Sequence, residues 1–112
     1  MDTVTLTIKE QPPLYLEAEV FNPDALAGKK ADEIATLPLA MGNTTCKVGD
    51  YFTVTGNGGA TAAETKVVVN GDLTKVKYIG AHMSAGEVVI NGNADMYVGA
   101  WMAGGKITAK GN

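Results

Sequence analysis

One cysteine and one histidine are all that this chain offers of the side chains most used for soft-metal binding and nucleophilic catalysis. Cys46 alone forms no internal disulfide and cannot hold an iron–sulfur cluster, which takes four ligands, most of them cysteine. His82 with Cys46 falls short of an ordinary zinc site unless carboxylates or a partner complete it. A catalytic triad would need a nucleophile and an acid around His82, and no G-x-S-x-G motif supports one. No catalytic, cofactor-binding or metal-ligating residue is therefore assigned, and Cys46, inside NTTCKV, reads as a half-buried strand residue. Basic runs are missing too. With a net charge of −3, nucleic acid and anionic membrane are poor partners. The N-terminus, MDTVTLTIKE, has Asp2 where a signal peptide carries a base, and no 18-residue apolar span follows. The expectation is a soluble, cytoplasmic chain.

Glycine, in contrast, is abundant and regularly placed. From Lys66 onward it punctuates the chain at Gly71, Gly80, Gly86, Gly92, Gly99, Gly105 and Gly111. Gly80, Gly86 and Gly92 recur as Gly99, Gly105 and Gly111, each after 19 residues. Apolar positions step with them: Ile79 to Val98, Met83 to Met102, Val88 to Ile107, Ile90 to Ala109. The runs VVVNG, VVING and ITAKG are β-branched and end in a residue suited to a tight corner. Self-similarity of this kind marks a repeat architecture. The expected fold is mainly β, a right-handed parallel β-helix of 19-residue coils stacked at about 4.8 Å. Its ladders would be Val67, Val88 and Ile107, then Val69, Ile90 and Ala109, with Met83 buried under Met102.

Residues 1–65 read as an α+β block capping residues 66–112. Val4, Leu6 and Ile8 alternate with threonines, a half-buried strand, and Leu14, Leu16, Ala18 and Val20 alternate likewise. Asn22-Pro23-Asp24 is a helix start, with Asn as N-cap and Pro at the first helical position. A second short helix spans Lys30 to Leu37 and stops at Pro38. Turns at Met41-Gly42-Asn43 and Gly49-Asp50 bound strands Thr44–Val48 and Tyr51–Thr55. Gly56 to Thr65 is a loop too small and polar to pack, and its GNGG lacks the Lys-Ser/Thr of a phosphate loop. A bare sheet edge invites aggregation, so such a block has a capping task. The other end, with few coils present, leads us to expect a longer protein or completion by a neighbouring chain.

Alternation within the coils also predicts a surface. If Ile79 and Met83 point inward, Tyr78 and His82 point out; one coil later Val98 and Met102 point in, and Tyr97 and Trp101 out. Stacking places Tyr78 against Tyr97 and His82 against Trp101. Tyr78, His82, Tyr97 and Trp101 are the candidate interface, since aromatic clusters commonly anchor interfaces.

The two segments LAGKKADEIATLPLAMGN and VVVNGDLTKVKYIGAHMSAGEVVINGNADMYVGAWMAGGKITAKGN resemble the C subunit of formylmethanofuran dehydrogenase. The glycine repeat alone also resembles the C-terminal domain of the glutamate synthase large chain; the N-terminal block does not. Asp95 and Ala85 depart from the repeat, at positions where it usually has glycine. The resemblance implies a non-catalytic scaffold in a ferredoxin-linked oxidoreductase complex that reduces carbon dioxide to formate and joins it to methanofuran in methanogenesis. It implies that a molybdopterin-type molybdenum or tungsten cofactor and iron–sulfur clusters sit in partners: metal-pterin, amidohydrolase and polyferredoxin subunits. Two alternatives stand beside it. One is the corresponding C subunit of the methylotrophs' formyltransferase/hydrolase complex. The other is a self-standing β-helix protein acting on polysaccharide, which the lack of arginine in the repeats disfavours.

Overall fold

A computed structural model of the chain describes residues 2–93, 98–99 and 101–110. Strand β1 (Asp2–Ile8) buries Val4 and Leu6 and turns its threonines outward, as the alternation requires. Strand β2 is only Leu16–Glu17, although Leu16 and Ala18 are both buried. Leu14, expected on the same inward face, is exposed instead. Helix α1 (Pro23–Leu26) starts where expected: the Asn22 side chain accepts from the Ala25 N–H at 2.7 Å, and Pro23 opens the first turn. Helix α2 (Ala31–Ala35) is held at its start by Glu33 Oε1, which accepts from the Lys30 N–H at 3.2 Å.

Strands β3 (Pro38–Met41) and β4 (Thr44–Lys47) form a hairpin, with Met41 opposite Thr44 and Gly42 at φ +61° in the turn between them. Helix α3 (Val48–Tyr51) leads into β5 (Phe52–Gly56), and a 3-10 turn at Ala62–Glu64 leads into β6 (Thr65–Asn70). The remaining strands are β7 (Val76–Lys77), β8 (Glu87–Asn91) and β9 (Lys106–Ala109).

These strands make two sheets, of order β5-β1-β6-β8-β9 and β4-β3-β2-β7. Val4, Leu6, Val67, Val69, Val88 and Ile90 line the buried face of the first; Leu16, Leu39 and Val76 come from the second. Phe21 meets Phe52 edge-on in the same core, ring centroids 4.9 Å apart.

The fold class read from the glycine period is corrected here. The chain is an α+β protein with two mixed sheets and not a parallel β-helix. Strands β6, β8 and β9 do run parallel, Val67 opposite Val88 and Val88 opposite Ile107. However, β1 inserts beside β6 in parallel and carries β5 antiparallel on its other side. The second sheet holds two antiparallel pairings, and β7 alone represents the glycine-rich segment there among the described residues. A recurring pattern reports that strands repeat in register. It is silent about what flanks them, and here residues from 1–65 fill that place.

Two local expectations also change. The loop from Gly56 to Thr65 packs closely: Gly28 donates to the Gly59 carbonyl at 2.6 Å and Gly58 to the Lys29 carbonyl at 2.8 Å. Gly59 donates to Thr65 Oγ1 at 2.9 Å, so the amides of Gly58 and Gly59 are already engaged and cradle no anion. Met102 is 37% exposed and does not repeat the burial of Met83. Its turn follows the one that Met83 closes, and no later turn is among the described residues.

Candidate functional site

The six described corner glycines have φ between +70° and +147°; Asp95, Tyr97 and Gly111 lie outside the described residues. Between these corners, three side-chain-bearing residues adopt the same left-handed backbone: Tyr78 (φ +65°), His82 (φ +61°) and Trp101 (φ +56°). Non-glycine residues held this way cost about 1–3 kcal/mol each, so the surroundings must enforce them. The enforcement is visible. Ile79, Gly80, Ala81 and Met83 are buried, while Tyr78 is half-buried and His82 is exposed. The Gly80 N–H donates to the Phe21 carbonyl at 2.8 Å and the Ala81 N–H to the Tyr78 carbonyl at 2.9 Å.

The next turn is laid on this one by backbone hydrogen bonds from Gly99 to Ile79 (2.8 Å) and from Ala103 to Met83 (2.9 Å). Trp101 thereby stacks on His82, ring centroids 4.9 Å apart and planes 14° off parallel. It also stacks on Tyr78 at 5.5 Å and 18°. The expected pairing of His82 with Trp101 is present, and the contact between Tyr78 and Trp101 is additional. The indole remains 64% exposed.

The stack is anchored from the N-terminal side. The side-chain amide of buried Asn22 donates to the Glu19 carbonyl (2.6 Å) and to the Ala81 carbonyl (3.0 Å), fixing the turn that carries Tyr78 and His82. Asp24 accepts from the Ser84 N–H at 2.8 Å and from its hydroxyl in a short hydrogen bond. Partial burial is the largest single influence on the Asp24 carboxyl and pushes its pKa up. The hydrogen bonds from the Ser84 hydroxyl and N–H, with the amides of Ala85 and Asp24 itself, outweigh it and hold the group below its usual value.

Carboxylates border the rings. Glu19 Oε2 lies 4.0 Å from His82 Nε2, with both side chains half exposed. Glu17 and Glu19, with Val20, Pro38 and Ala40, line an open depression of about 270 Å³. Lys77 Nζ sits 5.1 Å over the Tyr15 ring. None of this resembles a nucleophile, base and oxyanion donor converging on one point. Among the described residues no three His, Cys, Asp or Glu side chains come together as a metal would require. Half-buried Cys46 has its pKa raised, first by burial and then by the charge of Asp50, which disfavours a reactive thiolate. What the structure shows at this place is an exposed stack of rings.

Its signal in the sequence was partial. The sequence singled out Tyr78, His82 and Trp101, and their rings stack together, although Met102, whose inward turn was the argument for Trp101, is itself exposed. The roles of Asn22 and Asp24 in holding the turn were invisible, because Ala81 and Ser84 lie 59 and 60 residues away from them.

No protein-family model matches the chain. It is 47% identical over 97 residues to the C subunit of tungsten-containing formylmethanofuran dehydrogenase 2 from Methanothermobacter thermautotrophicus, covering 87% of this chain and 36% of that protein. It is 44% identical over 97 residues to the C subunit of molybdenum-containing formylmethanofuran dehydrogenase 1 from Methanosarcina barkeri, covering 87% and 32%. The chain thus spans about a third of the length of these relatives. Among the described residues no helix is long and apolar enough to cross a membrane.

Proposed function

Because the chain is homologous to the C subunit of formylmethanofuran dehydrogenase across most of its length, we propose that it is a non-catalytic scaffold segment of such a complex. In this reading it holds partners that carry the chemistry: a metal-pterin subunit with tungsten or molybdenum, an amidohydrolase subunit and a polyferredoxin. Together these reduce carbon dioxide to formate and transfer it to methanofuran in the cytoplasm. One observation carries the scaffold role. The ring stack of Tyr78, His82 and Trp101 is built on three left-handed, non-glycine residues, a conformational cost that presents a largely exposed indole to solvent. Aromatic rings gathered on a fixed backbone are what interface cores use.

The test is Trp101→Ala in a tagged chain, with partners recovered by pull-down and identified by mass spectrometry. Recovery of the partner subunits should fall about tenfold or more, as for an interface anchor. The melting temperature of the free chain should stay unchanged. Lower stability with full recovery per folded chain would reduce Trp101 to a packing residue.

A further inference from the structure

We infer that the outer face of the four-stranded sheet takes a single arginine from a partner protein, its guanidinium between Glu17 and Glu19 and its stem over Pro38 and Ala40.

What lies open here is the face of a sheet and not an edge. Strands β2 and β3 are interior strands, β2 paired with β3 and β7, and β3 with β2 and β4. Leu16 and Leu39 turn inward and are buried, so their neighbours turn outward: Glu17 and Pro38 are exposed and Ala40 is half-buried. The alternation runs on beyond β2. Ala18 is buried, with its N–H donating to the Lys77 carbonyl at 2.8 Å, and Glu19 is exposed again. The two glutamates therefore lie on one side of the sheet, about 6.7 Å apart along the strand. Ala40 stands opposite Glu17 in register, and so short a side chain leaves room above it. The result is the depression of about 270 Å³ between Glu17, Glu19, Val20, Pro38 and Ala40, apolar in its floor and anionic at its rim.

Charge decides the occupant. Lys77 stands beside Glu17 on the other flank, yet its Nζ lies over the Tyr15 ring. Among the described residues no cation comes within 4.0 Å of Glu17, and Glu19 has only half-exposed His82 at that distance. Carboxylates bordering an apolar floor are matched by a cation that brings its own apolar stem. Arginine fits better than lysine, because its planar fork serves two carboxylates and gives up water more readily. A run of basic residues does not fit. Lys77 on β7 and Lys47 on β4, the latter opposite Pro38, flank the two strands and would repel it. The 112 residues contain no arginine, so a second copy cannot supply the group.

The probe is acetyl-Ala-Arg-Ala-amide, with the citrulline peptide of the same shape and no charge as its control. Each is titrated into the isotope-labelled full chain while backbone amide shifts are followed by NMR. We expect saturable shifts at residues 17–20 and 39–41. The arginine peptide should bind about fivefold more tightly than the citrulline peptide. Combining Glu17→Gln with Glu19→Gln should erase that preference and leave the melting temperature unchanged, since both side chains are at the surface. The titration needs neither the ring stack nor the family, so its outcome is separate from that of Trp101→Ala. Equal binding of the two peptides, shifts centred on other carboxylates, or an undiminished preference in the double variant overturns the inference. Loss of binding in a longer natural form of the protein also overturns it, by assigning the face to the protein's own continuation.

Discussion

Asn22 uses its side-chain oxygen and nitrogen at once. The oxygen caps α1 through Ala25, while the nitrogen holds the carbonyls of Glu19 and Ala81. Asn22→Ala removes the cap and strands the buried Ala81 carbonyl, which together should lower the unfolding free energy by about 2–4 kcal/mol. Asn22→Asp retains the cap acceptor but turns a carboxylate toward two carbonyls, so it should fall no less than halfway to the alanine variant. Urea unfolding measures both. A loss below about 0.5 kcal/mol for Asn22→Ala would be surface behaviour and would contradict the assignment. The capping half of this residue was readable from Asn22-Pro23-Asp24, since it needs only neighbours in sequence. The other half depends on a turn far along the chain. The left-handed backbone of Tyr78, His82 and Trp101 was hidden for a different reason: φ > 0 is announced by glycine, and here it falls on aromatic rings.

At the scale of elements, the strands were legible wherever one face is buried and the other is not. Strand β1 announced itself by alternation, and β6, β8 and β9 by a recurring corner. Strand β3 did not, because Pro38 reads as the end of a helix and the three residues after it are too few to show a period. Sheet order was beyond reach, since pairing of β1 with β6 joins residues more than sixty apart. The corners themselves are demanding. At Gly92, with φ +147°, an added Cβ would stand 1.7 Å from the Gly71 carbonyl oxygen. Gly92→Ala must therefore separate two successive turns, and a loss of several kcal/mol is expected. A thermal melt within a degree of the parent would show that the turns can slide apart freely. As a contrast, an added Cβ at Gly28 meets nothing within 4 Å, so Gly28→Ala should meet only the φ penalty at +73°.

For the whole molecule, both sheets draw on both halves of the sequence. The first strand of the chain sits inside the larger sheet, between β5 and β6, and β2 joins β7 from the glycine-rich half. A coil stack closed by a separate lid, as the glycine period suggests, misses this interleaving. A single cysteine and a single histidine have their consequence at this scale. Purified alone, the chain should hold no stoichiometric tungsten, molybdenum or iron. About one tightly bound metal per chain by elemental analysis would contradict a purely scaffolding role. The ring stack has a last consequence, in optics. Trp101 is the sole indole of the chain and faces water on one side and an imidazole on the other. Excited beyond the tyrosine absorption, all emission comes from this one point. A partner that covers it will shift that emission to the blue and shield it from a soluble quencher, while a partner seated elsewhere will leave the spectrum untouched. The surface most in question thus carries its own lamp, and docking there can be watched in real time without a label.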